Sequence, residues 1–166
     1  MNKTYEKEHS LEERVVALLK QRGYTATTTE SCTGGLLAGR LLNAAGVSEV
    51  YKEGYITYSN EAKIKLLGVS PKTLEAYGAV SEQTALEMAQ GAARQAGAQA
   101  ALATTGIAGP DGGTLEKPVG LVYIGCYVNH ATAVEEHVFA GERAQVRNLA
   151  VEAALNLLER MLCANI

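Results

Sequence analysis

Ser31 stands at the end of the run Thr27-Thr28-Thr29-Glu30 and is followed by Cys32-Thr33-Gly34-Gly35. A hydroxyl on such a turn can act as a nucleophile. The paired glycines permit close backbone approach, and the helix that opens after them offers N–H groups and a positive dipole end to an oxyanion or a phosphate. A serine before a helix can also be a plain N-cap. A cap needs only one small polar residue, however, and this turn supplies Glu30, Ser31, Cys32, Thr33 and two glycines together.

The hydroxyl needs a base. Of the three histidines, His9 lies in a polar N-terminal tail, His130 in a turn and His137 on a late strand outside any motif, which argues against a Ser-His-Asp triad. Lysine replaces histidine when desolvation lowers its pKa toward neutrality. Lys63, in the phrase Tyr58-Ser59-Asn60-Glu61-Ala62-Lys63, is the candidate. Its alternative reading is a solvated lysine in the first turn of a helix, a position the dipole disfavours. The Tyr58 hydroxyl is a candidate to hold the lysine or the leaving group, although a strand tyrosine commonly packs half-buried. Cys32 has no basic partner of its own and reads as a small buried thiol.

Alternating helices and strands must position these groups. Ser10 and Glu13 form a capping-box signature, Leu11, Val15, Leu18 and Leu19 a helical stripe, and Gly23 its stop. Tyr24 to Thr29 reads as the first strand and Leu36 to Leu42 as a helix. Tyr51 to Ser59 reads as a second strand, with Asn60 capping a helix that reaches Leu67 and Gly68. Ser81 caps an Ala-rich helix to about Ala96, and Ala100 to Thr105 reads as a short buried strand. The glycine-rich stretch Thr104 to Gly113 is too long for a plain connection. Leu121 to Val128, an Asn129-His130 turn and Thr132 to Phe139 read as a hairpin. A last helix from Glu142 to Cys163 is expected to bury Val146, Leu149, Ala153, Leu157 and Met161. This order predicts an α/β fold, a three-layer α/β/α sandwich with a mixed, partly parallel sheet. Sites in such folds gather beyond the carboxyl ends of strands, and Ser31, the 58–63 segment and the 104–113 loop all follow strands.

The 166 residues are 47% hydrophobic and 20% charged, which fits one domain, residues 1–166, with residues 1–10 as a polar tail. A net charge of −3 with dispersed Lys and Arg carries no footprint for nucleic acid or an anionic membrane. Cys32, Cys126 and Cys163 are odd in number and far apart, against a disulfide framework or a zinc site, so no metal and no cofactor are expected. Neither a secretory h-region nor a membrane-spanning run is visible, and the expected compartment is the cytoplasm.

The phrases Thr29-Glu30-Ser31-Cys32-Thr33-Gly34-Gly35, Tyr58-Ser59-Asn60-Glu61-Ala62-Lys63, Gly78-Ala79-Val80-Ser81, Gly106-Ile107-Ala108-Gly109-Pro110-Asp111-Gly112-Gly113 and Lys117-Pro118-Val119-Gly120 together resemble the C-terminal domain of the competence/damage-inducible protein CinA. The resemblance spans nearly the whole chain. In that family the domain occurs alone or behind a molybdopterin-binding-like domain, and this chain looks like the standalone form. The resemblance implies nicotinamide-nucleotide amidohydrolase activity: hydrolysis of nicotinamide mononucleotide to nicotinate mononucleotide and ammonia, in pyridine nucleotide salvage. It also implies a Ser-Lys mechanism mapping onto Ser31 and Lys63, with Tyr58 and Thr105 nearby. Joined to the residue reading, it puts the oxyanion on amides of Cys32, Thr33, Gly34 and Gly35 and the ring beside Thr105 and Gly106. Ribose or phosphate would meet the glycine-rich loop, including Ala108 and Gly112, with Arg143 as a candidate phosphate partner. A homodimer stays open. Rival readings are a non-catalytic nucleotide-phosphate binding module and an interaction protein in competence or the DNA damage response.

Overall fold

The computed structural model describes residues 9–164, so most of the expected N-terminal tail lies outside the described residues. Helix α1 (Leu11–Arg22) opens with a full capping box: the Ser10 side chain accepts from the Glu13 amide, and the Glu13 carboxylate accepts from the Ser10 amide. Gly23 closes it at a φ of 65°. There follow β1 (Ala26–Glu30), α2 (Leu36–Leu41), a 3-10 turn (Val47–Glu49) and β2 (Tyr51–Ile56). Next come α3 (Asn60–Ala62), which passes directly into a π-helical turn (Lys63–Leu67), then α4 (Pro71–Tyr77) and α5 (Glu82–Ala96). The chain finishes with β3 (Ala100–Gly106), β4 (Leu121–Val128), β5 (Ala131–Val138) and α6 (Arg143–Cys163).

The five strands form one mixed sheet in the order β2-β1-β3-β4-β5, with β1 parallel to both β2 and β3, and β4 antiparallel to β3 and β5. Strand β3 shows how the layers arise. Its period of two sends Ala100 and Leu102 into a core with α1, α2 and α6, and Ala101 and Ala103 into a second core with α5 and the π-helical turn. The layer on the second face sits close: a Cβ built on Gly125 of β4 would lie 2.3 Å from the Ala85 carbonyl of α5. The expected three-layer α/β/α fold is therefore present.

Three local expectations need correction. Ser59, not Asn60, caps α3: its backbone is extended and its side chain accepts from the Ala62 amide, so Asn60 is the first helical residue. Helix α4 was not anticipated, although Ser70 followed by Pro71 is a helix-start signal. On α6, Val146, Leu157 and Met161 are buried, but Leu149 is 42% exposed and Ala153 only half-buried. The buried face instead runs through Ala150, Val151, Ala154, Leu155 and Leu158, because a helix wedged between the sheet and α1 is covered along a broader, rotated stripe.

Candidate active site

Strand β1 has a parallel neighbour on each side, so its carboxyl end opens on the crevice where connections diverge. The strand is polar yet wholly buried. Its hydroxyls are satisfied sideways: Thr27 Oγ1 donates to the Glu53 carbonyl (2.9 Å), Thr28 Oγ1 meets Tyr51 Oη (2.7 Å) and Thr29 Oγ1 meets Thr57 Oγ1 (3.1 Å). Pairing continues past the strand. The Ser31 amide donates to the Thr104 carbonyl at 2.9 Å, and the Thr57 amide to the Glu30 carbonyl at 2.9 Å. Ser31 is thus held at the edge shared by all three parallel strands.

Lys63 arrives at the same point from the junction of α3 and the π-helical turn, a local helix form often found at functional sites. Its Nζ lies 3.3 Å from Ser31 Oγ and donates to the carbonyls of Thr57 (2.8 Å) and Tyr58 (3.2 Å). Lys63 is 0% exposed and Ser31 9%, which removes the solvated-lysine alternative. Burial pushes the lysine pKa below its ordinary value, against the smaller upward pulls of Cys32 and Glu61. A lysine in this state can take a proton from the hydroxyl. Tyr58 reaches the lysine through its backbone carbonyl, while its side chain is 66% exposed. Cys32 is buried, and desolvation raises its thiol pKa to about 11, far from a working thiolate. His137 sits on the far edge strand β5, 3.0 Å from Glu135 and stacked on Phe139.

The turn after Ser31 differs from expectation. The amide N–H groups at the start of α2 do not face an open site, because the buried Glu30 carboxylate fills that position. It accepts from the amides of Gly35 (2.9 Å), Leu37 (3.0 Å) and Ala38 (2.9 Å) and from the Thr33 hydroxyl (2.6 Å). Three N–H groups and a dipole end attract the nearest anion, and here the chain supplies its own. Gly35 is therefore not free to bind an oxyanion or phosphate through its amide. Gly34 and Gly35, at φ of 57° and 99°, supply the left-handed backbone that lets the turn double back on Glu30. Among the described residues the amides of Cys32, Thr33 and Gly34 donate to no protein acceptor.

The remaining candidates divide. Thr105 is buried and its hydroxyl donates to the Ala79 carbonyl at 2.7 Å, so it fastens the 78–80 segment to the end of β3. Gly106 ends β3, opposite Val122. Ala108 and Arg143 line a cleft of about 650 Å³ together with Pro110, Val119, Glu142 and Arg147, and Arg143 Nη1 donates to the Gly109 carbonyl at 2.9 Å. Gly112 is exposed and outside that lining. Arg147 connects the cleft to the Ser31 turn, its Nε donating to the Cys32 carbonyl (3.0 Å) and its Nη2 to the Thr33 carbonyl (2.8 Å). Sequence reasoning missed Glu30 and Arg147 as site residues. A lone carboxylate ending a buried β-branched run, and arginines spaced i and i+4 at a helix start, were the available signals.

No three His, Cys, Asp or Glu side chains gather into a metal-holding group among the described residues, and no helix among them is long and apolar enough to cross a membrane.

A three-layer α/β/α protein with a buried serine–lysine pair at the carboxyl edge of its parallel strands is the class these features define. Residues 8–162 match the CinA C-terminal domain family, and the chain belongs to that family. It is 57% identical over 155 residues, 93% of the chain, to a CinA-like protein of Kosmotoga olearia, and 54% identical over 155 residues to a putative competence-damage inducible protein of Clostridium botulinum. The chain spans about 38% of the length of each of these relatives. Among solved structures it resembles the competence/damage inducible protein CihA of Agrobacterium tumefaciens (44% identity, TM-score 0.88, 92% of this chain and 93% of that one). It likewise resembles the competence damage-inducible protein A of Klebsiella pneumoniae (38% identity, TM-score 0.90, 94% and 97%).

Proposed function

We propose that the chain is an amidohydrolase that uses Ser31 as nucleophile and Lys63 as general base, and that its substrate is the carboxamide of nicotinamide mononucleotide. The observation that carries the chemistry is the fully buried Lys63 amine 3.3 Å from Ser31 Oγ, with a pKa lowered by burial. A neutral amine has two N–H bonds and one lone pair. The carbonyls of Thr57 and Tyr58 take the two N–H groups, which leaves the lone pair for the Ser31 proton. Ser31 Oγ attacks the carboxamide carbon, and the tetrahedral oxyanion is met by the free amides of Thr33 and Gly34. Protonated Lys63 returns its proton to the departing nitrogen, so ammonia leaves and an ester on Ser31 remains. Water, deprotonated by the same lysine, then hydrolyses the ester.

The substrate follows from the family resemblance together with the arginine-bearing cleft beside the Ser31 turn. Arg143 offers donors suited to a phosphate, whereas the Arg147 fork is held on the Cys32 and Thr33 carbonyls and the start of α2 is already occupied by Glu30. The reading requires neither nucleic acid nor membrane, is compatible with a homodimer, and belongs in the cytoplasm with the nucleotide pool. Ammonia release from nicotinamide mononucleotide by the purified protein, beside free nicotinamide and the intact dinucleotide, tests it. Release from the mononucleotide is expected; binding without release would favour the non-catalytic binding module.

A further inference from the structure

The turn that carries Ser31 is gripped from two sides by charged residues that take no part in the proton transfer. On one side lies Glu30, 1% exposed. Its partners are all neutral donors: three amides and the Thr33 hydroxyl within 3.0 Å, and the Thr28 hydroxyl at 3.5 Å. An ordinary N-cap satisfies one or two amides from a short neutral side chain. A buried carboxylate is a far costlier way to end a helix unless every lone pair is used. On the other side, Arg147 lays its planar fork across two consecutive carbonyls, those of Cys32 and Thr33.

Peptide geometry joins the two grips. A trans peptide points its C=O and the next N–H in opposite directions. With the Cys32 and Thr33 carbonyls fixed on Arg147, the amides of Thr33 and Gly34 must point away from it, while Glu30 draws off the Gly35 amide. These two donors, like the Cys32 amide before them, are left without an acceptor, two and three residues from the nucleophile. We infer that Glu30 and Arg147 are positioning residues that together define the oxyanion site, Glu30 by consuming the donors it must not use and Arg147 by orienting those it must.

This rests on the serine–lysine reading above, and the experiment separates the two. The full chain and its Glu30→Gln and Arg147→Lys variants are compared for nicotinamide mononucleotide turnover, normalised to the Ser31 sites titrated by a fluorophosphonate probe. Glutamine keeps the size but only one acceptor oxygen, and lysine keeps the charge but loses the fork. Expected are a kcat per titrated site lower by roughly 10²-fold for Glu30→Gln and about tenfold for Arg147→Lys, with KM and the lysine limb of the pH profile unchanged. A helix cap with no other role would lower the melting temperature and the fraction of titrated sites while leaving kcat per site intact, and that result overturns the inference. Should Glu30→Gln fail to fold, Arg147→Lys decides alone by the same criterion. If the wild type is labelled by the probe yet releases no ammonia, the substrate reading fails; slower labelling in the variants still supports the positioning role, and wild-type labelling rates refute it.

Discussion

The parallel and antiparallel halves of the sheet treat polar side chains in opposite ways. Around the carboxyl ends of β1, β2 and β3, polar groups are taken out of water: Glu30, Ser31, Thr33, Thr57, Lys63, Thr104 and Thr105 are all buried. Along β4 and β5 they stay at the surface, where Glu136 accepts from Tyr123 and Glu135 pairs with His137 and Arg160. Exposed pairs of the second kind add little to stability and need no further purpose. Buried groups of the first kind are tolerated only when fully bonded, and concentrating them at one sheet edge points to chemistry rather than to folding. The comparison also assigns roles within each half. The same residue types that suggest catalysis in a sequence, a histidine beside a glutamate, lie in the half where the structure gives them surface work.

The sharpest way to break this contrast is to remove one oxygen. Ser31→Ala should lower turnover by about 10³-fold or more while leaving the fold and mononucleotide binding intact, whereas Cys32→Ala should keep most activity, as steady-state ammonia release will show. Reversed phenotypes would move the nucleophile to the thiol.

Lys63 comes next. Lys63→Arg, whose guanidinium keeps its proton, and Lys63→Met should both be nearly inactive. In the wild type the rate should climb with pH through the lowered lysine pKa and then level off. Stability follows the same group: with the folded pKa below the unfolded value near 10.4, the unfolded chain binds more protons between the two, so wild-type stability relative to Lys63→Met should rise with pH across that window. Melting temperatures that change in parallel all the way up to the unfolded lysine value, near 10.4, would contradict a desolvated base.

A smaller effect is expected at the cleft. Arg143→Ala should raise KM for the mononucleotide by about tenfold with little change in kcat, and should leave the riboside, which lacks the phosphate, unaffected. Equal losses on both substrates would take the phosphate out of the cleft. Least of all should follow from His137→Ala on the antiparallel half: unchanged kinetics and a stability change within ~1 kcal/mol.

Much of this contrast was legible in the chain. The β-branched run into Ser31, the Ser81 cap, the hairpin around Asn129 and the capping box at Ser10 announce their elements through local chemistry. The serine–lysine pairing was legible as a candidate, because few other bases exist. What the sequence withheld depends on where atoms point after folding. In the sequence Glu30 is only one more polar residue of the turn, and only the fold through Gly34 and Gly35 shows its carboxylate directed into the start of α2. Tyr58 reads as a hydroxyl, but its contact with Lys63 is made by a backbone carbonyl, which every residue possesses. Arg147 is separated from Cys32 by more than a hundred residues, and no local pattern links them.

The π-helical turn makes the length of one short segment matter more than its composition. Ser59 anchors the segment upstream, at the cap of α3. Downstream, the Leu67 carbonyl accepts from Arg94 at 2.9 Å, and a Cβ on Gly91 of α5 would come within 2.2 Å of that same oxygen, so this end is pressed against α5. The count of residues strung between the two anchors determines how far the lysine amine can reach. A π turn takes up one residue more than an α turn over the same span, so deleting one residue from 64–67 would regularise the helix and shift Lys63 relative to Ser31. Substitutions are readily absorbed at the segment's exposed positions, Ile64 and Lys65, but insertions and deletions are what this site would not survive.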